Sequence, residues 1–201
     1  EFCDLAPDQT VRHVVPLRRL TAQFESLNNH PEGAVPPGRW SGSGFLGQSG
    51  APLHWEGKVG PLAAPLSFEL ERLECDRLAL VEISSQIEET AGCRPITGTL
   101  AFRVRASCEQ GRIRAAKLDL NLSGAAFEPL TMAGRELAAY VRARDGRIDE
   151  TFSLSGTWDA PQVEADGLVS RIVWQKISNG VVGFLAFPFR LVGSIFGGGG
   201  E

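Results

Sequence analysis

The chain has 201 residues, of which 43% are hydrophobic. That is enough for one large domain with an appended segment, and enough apolar surface for a core, which excludes a wholly disordered chain. Its 20 basic and 24 acidic residues leave a net charge of −4, which excludes the broad cationic footprint needed to wrap nucleic acid.

From the N-terminus, Val11–Val15 and residues 20–24 read as short strands, and residues 30–38, with Pro31, Pro36 and Pro37, read as a loop. The run of Leu53, Trp55 and Val59 follows. Gly42, Gly44, Gly47, Gly50, Gly57 and Gly60 are expected at hairpin turns and bulges around it. Strand signals then strengthen. Leu66, Phe68 and Leu70 alternate with polar residues, as do Leu100, Phe102, Val104 and Ala106, then Leu118, Leu120 and Leu122, and finally Phe152 and Leu154. Period-two alternation gives each strand one apolar and one wet face. Between the last two, residues 131–144 read as a helix. Thr131 is the N-cap candidate, Leu137, Tyr140 and Val141 lie at helical spacing, and Asp145-Gly146 is the stop.

The last segment is different. Residues 168–196 hold sixteen large apolar side chains among 29, and the longest uncharged stretch, 177–189, has 13 residues. A bilayer-spanning helix needs about 20. This segment reads as an amphipathic helix kinked at Pro188, followed by a glycine-rich end. Arg171, Lys176 and Arg190 against Glu201 give residues 168–201 a net +2, leaving −6 on the first 167. A basic apolar tail on an acidic body suits an anionic membrane surface. Arg171, Trp174, Lys176, Phe184, Phe187, Phe189, Arg190 and Phe196 are its candidate membrane contacts.

Catalytic patterns are missing from the sequence. His13, His30 and His54 are scattered without HExxH spacing, Ser43 sits in Gly42-Ser43-Gly44 without a GxSxG elbow, and no phosphate-binding loop is present. Glu88-Glu89 and Asp149-Glu150 are adjacent carboxylates, which a strand sends to opposite faces. Arg103 and Arg105, with Arg112 and Arg114 on the next strand, could line an anion site. The favoured reading is the wet face of an amphipathic sheet, with cross-strand partners such as Glu69 and Glu71. No enzyme, metal or cofactor is expected.

Four cysteines, Cys3, Cys75, Cys93 and Cys108, show no CxxC spacing. A strand over residues 97–107 keeps Cys93 and Cys108 far apart. If the strand ending near Leu73 pairs antiparallel with it, Cys75 falls near Cys93, so a Cys75–Cys93 disulfide is expected.

The C-terminal third carries a resemblance. A helix ending Leu137-Ala138-Ala139-Tyr140-Val141 runs into Arg144-Asp145-Gly146-Arg147-Ile148. A strand follows, then the turn Gly156-Thr157-Trp158-Asp159-Ala160-Pro161, and a helical stretch closing on Pro188-Phe189-Arg190-Leu191-Val192-Gly193-Ser194-Ile195-Phe196 and four glycines. In order and spacing this resembles the ending of the domain-of-unknown-function branch of AsmA-like proteins. The glycine-bounded Trp40-Ser41-Gly42 and His54-Trp55-Glu56-Gly57 are similar to that family's strands. Its members are usually long and begin with an inner-membrane helix, so this chain is expected to be a fragment or a member without its anchor.

The resemblance implies a periplasmic, membrane-associated envelope protein related to bridge-like lipid-transfer proteins. In those, a curled sheet shields acyl chains. The resulting expectation is a mainly β fold: a curved, taco-like antiparallel sheet with a short helix over residues 1–166, and an amphipathic helical tail over 167–201. The expected function is non-enzymatic. Phospholipid acyl chains would lie against Phe68, Leu70, Leu100, Phe102, Val104, Leu118, Leu120, Leu122, Phe152 and Leu154. The alternative is an assembly module with a fully packed sheet, whose tail docks to an envelope protein partner.

Overall fold

A computed structural model describes residues 2–5, 11–27, 36–60, 67–157 and 161–164. Ten strands occur among them: β1 (Phe2–Leu5), β2 (Val11–Val15), β3 (Leu17–Glu25), β4 (Gly38–Leu46), β5 (Ala51–Val59), β6 (Phe68–Ala79), β7 (Cys93–Glu109), β8 (Arg112–Pro129), β9 (Ile148–Gly156) and β10 (Pro161–Glu164). β1 and β2 form a separate hairpin, and β3 to β10 form one sheet in chain order. Every pairing in that sheet is antiparallel. The sheet does not close, so β3 and β10 are its edges. The fold is thus mainly β, an open curved antiparallel meander: the alternation predicts its amphipathic strands, and the curved sheet is what the resemblance implies.

The alternation also sets the layering. Reading across β4 to β9, one register row is Gly42, Trp55, Leu73, Val104, Leu118, Phe152. The neighbouring row is Ser43, His54, Glu74, Arg103, Asp119, Thr151. One face is therefore apolar and the other polar over six strands. A one-residue slip anywhere would exchange them, and this locks the register.

Bulges bend the sheet. Register shifts fall between Leu70 and Leu73 and between Cys75 and Leu78 on β6, and near Pro95–Thr99 on β7. At each, an extra residue is left unpaired and the local twist increases. Arg77, at φ 56°, marks the second shift on β6.

Two expectations change here. Gly42 and Gly44 lie inside strand β4 and not at a turn. A Cβ on Gly42 would land in the Trp55 ring, so glycine at that position makes room for an indole on the next strand. The true β4–β5 turn is Gly47–Gly50, with both glycines at φ 73°. The stretch that holds Glu88 and Glu89 is also not a strand. Residues Leu80–Ile83 form a 3₁₀ turn, and Ser84–Ala91 form helix α1, which sequence periodicity missed. α1 has two turns and buries only Ile87 and Ala91 among its described side chains, too few to make a periodic stripe.

The expected central helix is present as α2, Met132–Arg142. Thr131 caps it: its Oγ1 accepts the Gly134 N–H at 3.1 Å. At the other end the Gly146 N–H donates to Val141 O at 3.0 Å, with Gly146 at φ 73°, a left-handed stop that glycine adopts without steric penalty. α2 packs its Leu137, Ala138 and Val141 against the extended ends of β7 and β8.

Candidate functional site

The apolar face is the feature on which the sequence converges. Phe68, Leu70, Leu100, Phe102, Val104, Leu118, Leu120, Leu122, Phe152 and Leu154 all lie in one continuous cluster, each no more than 7% exposed. The cluster is larger than the sequence reading. Trp40, Leu53, Trp55, Leu73, Cys75, Leu78 and Ile148 share the same face. Leu73 and Leu78 were hidden by the bulges: Glu71 and Arg72 are both exposed, so the inward position after Leu70 comes three residues later and not two. A run of two polar residues between leucines was the available signal. Leu66 and the eight tail positions, Arg171, Trp174, Lys176, Phe184, Phe187, Phe189, Arg190 and Phe196, lie outside the described residues.

The apolar face is closed off from water. Near-zero exposure across Leu46, Leu53, Leu73, Val104 and Leu118 means each side chain is in van der Waals contact on all sides. A carboxylate enters this layer at its β9 margin: half-buried Glu150 sits across from Leu120 and accepts the Tyr140 hydroxyl hydrogen at 3.4 Å.

At one end of the sheet the connections are tied together. Glu82, in the 3₁₀ turn, accepts the backbone N–H of Gln48 at 2.5 Å and of Ser49 at 2.8 Å. Gly47 leaves the space its carboxylate occupies. Gly92, the left-handed cap of α1 at φ 66°, offers its carbonyl to the N–H groups of Leu130 at 2.9 Å and Thr131 at 3.0 Å. α1 and the start of α2 are thereby fastened to each other, and the 3₁₀ turn to the β4–β5 hairpin.

The outer face carries charge, paired differently from expectation. Arg103 pairs with Glu74 at 3.2 Å and Arg105 with Asp119 at 3.7 Å. Glu69 and Glu71 pair with Lys58 instead, at 3.3 and 2.6 Å. The reason is register: Arg103 lies opposite Glu74 once the Leu70–Leu73 bulge is counted. Lys58 is held above its ordinary pKa, chiefly by its hydrogen bond to Glu71, and Glu71 is held below its own by the same contact. Arg114 pairs with Glu109 at 2.9 Å. A shallow polar opening of about 200 Å³ lies over β3–β6, lined by residues that include Glu25, Arg39, Glu56 and Lys58. It offers no apolar lining for an acyl chain beyond the edge of Trp40.

The Cys75–Cys93 disulfide is corrected. Both thiols are free and buried, as is Cys108. Cys75 lies opposite Phe102, nine residues from Cys93 along β7, or roughly 30 Å of extended strand against the ~7 Å limit for a disulfide. β6 continues to Ala79 before turning, so Cys75 is deep in the sheet and not at its end. Burial pushes the Cys75 thiol up to about 12, aided by Asp76 and Glu82, and the Cys93 thiol up to about 11, aided by Glu88.

Among the described residues, no three His, Cys, Asp or Glu side chains are grouped to hold a metal ion, and no helix is long and apolar enough to cross a membrane. No protein-family model, curated protein or solved structure matches the chain.

Proposed function

We propose that this chain is a non-enzymatic lipid-handling domain of the bacterial cell envelope. Its apolar sheet face would shelter phospholipid acyl chains in the periplasm. The observation that carries the reading is the uninterrupted apolar face across β4–β9 of a sheet whose edges stay open. A one-sided apolar sheet of this extent holds far more apolar area than a single ligand pocket would. The periplasmic placement rests on the resemblance of the C-terminal third to AsmA-like proteins. The basic apolar segment 168–201 adds the membrane contact.

Because the face is closed off from water, acyl chains reach it only by displacing what covers it. That same closure favours a second reading, an assembly module whose filled sheet is a scaffold and whose tail binds an envelope protein. Native mass spectrometry of the chain purified from an envelope fraction separates the two. Phospholipid retained at a fixed stoichiometry, and lost in Leu118→Gln, supports carriage. A lipid-free chain that copurifies with one stable protein partner refutes carriage and supports assembly.

A further inference from the structure

Large apolar side chains that stay in water are few among the described residues. Met132 is 78% exposed, Ile96 56%, Val81 50%, Leu130 46%, Leu20 41% and Phe45 38%. All six lie toward the end of the sheet where β4 turns into β5 and β8 runs into α2. Three of them fall together. Ile96 stands two residues beyond Arg94 on β7, and Leu130 two residues beyond Glu128, just past the end of β8. The side chains of Arg94 and Glu128 meet at 3.6 Å. Met132 opens α2 directly after Leu130 and Thr131.

The charge around these three is acidic. Glu88 and Glu128 share Arg94, at 2.8 and 3.6 Å. Glu89 follows Glu88 on α1, and Arg135 and Glu136 lie one turn after Met132 on α2. Four carboxylates against two guanidinium groups leave the patch at −2. Such a patch is repelled by an anionic bilayer and suits a segment that is both apolar and basic.

The chain carries such a segment, and the fold aims it. Residues 168–196 hold sixteen large apolar side chains together with Arg171, Lys176 and Arg190, and no carboxylate. The strand before it sets its course. β9 begins at Ile148, near α2, and ends next to Thr157, which bridges to Arg112. β10 pairs antiparallel with β9, so Pro161 to Glu164 run back toward the α1–α2 end. Glu164 is level with Ser153 and Lys117. From Lys117 to the end of β8 at Pro129 is about 40 Å along the sheet, and β10 to β8 is about 10 Å across it. The 37 residues after Glu164 cover that span even at the ~1.5 Å per residue of a helix. Tethering also holds the segment beside the patch at an effective concentration on the order of millimolar, which a separate basic peptide would have to match.

We propose that Ile96, Leu130 and Met132, with the acidic residues around them, form a dock for the chain's own C-terminal segment, residues 168–196. A segment held there is withheld from a bilayer, so the dock governs when the tail meets a membrane. This goes beyond lipid carriage and does not require acyl chains on the inner face.

The test is carbodiimide cross-linking of the full chain without lipid, in an equal mixture of light and heavy isotope-labelled copies, with the links mapped by mass spectrometry. Carbodiimide condenses a lysine amine with a carboxylate in contact with it. The chain has three lysines, Lys58, Lys117 and Lys176, so Lys176 reports the tail alone. Lys176 should join Glu89 or Glu136 within one copy. Ile96→Ser/Met132→Ser, which removes apolar contact and leaves the charge, should lower that yield about tenfold. Gln110→Ser/Ala115→Ser, at the far end, should leave it within about twofold. Circular dichroism confirms that each variant is folded, and Met132→Ser alone replaces the first pair if it is not. Vesicles of equal parts phosphatidylglycerol and phosphatidylcholine should lower the wild-type yield, since the segment cannot occupy both places. Any of four results would overturn the proposal: no link from Lys176 to the patch, links to Glu109 at the far end as frequent as those to the patch, links only between light and heavy copies, or a yield that the first pair does not change. A yield that vesicles raise would also overturn it, because the bilayer would then bring the two together. Lipid retention by the inner face, read separately by native mass spectrometry, stands or falls on its own.

Discussion

Phe102 and Arg103 are neighbours on β7 that face opposite environments, and exchanging either for a different charge tests the layering. Phe102 is 3% exposed, and its cross-strand partners Cys75 and Leu120 are 0% and 1% exposed. Phe102→Asp removes a buried ring, at a cost of about 3–5 kcal/mol. It also leaves a carboxylate without a partner in an apolar layer, which costs several kcal/mol more or forces the group to stay protonated. The total approaches the ~5–15 kcal/mol that holds a whole domain together. The variant should lack a cooperative transition at neutral pH. Because an unpartnered buried carboxyl has its pKa raised, lowering the pH toward 5 should restore part of the stability. Arg103→Gln is the matched control. Its side chain is 58% exposed, and the loss of its ion pair with Glu74 should cost about 0–1 kcal/mol. For a domain of this size that is a melting shift of at most about 4 °C. Arg103→Asp would be a poorer control, since the row already holds Glu74 and Asp119 on either side. Near-ultraviolet circular dichroism melts at neutral and acid pH read both variants. Similar shifts at the two positions would refute the one-sided layering, and with it the apolar face on which the proposed function depends.

Three further outcomes follow from particular contacts. Unfolded thiols ionise near 9.0, whereas Cys75 and Cys93 hold their protons up to about 12 and about 11. Their contribution to stability is complete below about pH 9 and is lost as the pH rises through that window. The alkaline unfolding midpoint should therefore move upward in Cys75→Ala relative to the neutral-pH stability of the same variant, and an unmoved midpoint would contradict it. Gly42→Ala drives a methyl group into the Trp55 ring and should cost about 1–3 kcal/mol; a urea midpoint equal to wild type would mean β4 and β5 are not packed as described. Glu82→Ala frees the amides of Gln48 and Ser49. Hydrogen exchange should speed up locally at the β4–β5 turn and in residues 80–91 while the β7–β8 core keeps its protection, and a uniform increase across the sheet would show that Glu82 is not a local fastening.

Local alternation was enough to assign faces on β7, β8 and β9. There each strand runs several residues without a bulge, and side chains must alternate on a pleated backbone. The Thr131 cap and the Gly146 stop of α2 were legible for the same reason: capping depends on residues a few positions apart. What the sequence could not decide by itself was everything set by distant residues. Whether Gly42 turns the chain or makes room for Trp55 depends on the strand beside it. The inward place of Leu73, the partner of Arg103 and the distance between Cys75 and Cys93 all depend on one bulge and on how far β6 runs before it turns. A bulge adds one residue to one strand only, so its effect is to shift pairing, and pairing is a property of two strands far apart in the chain. The gathering of Leu20, Phe45, Val81, Ile96, Leu130 and Met132 at one end belongs to the same class. Spread over more than 110 positions of the sequence, they look like isolated exposed residues, and only the antiparallel meander, which returns every second connection to the same end, brings them into one rim.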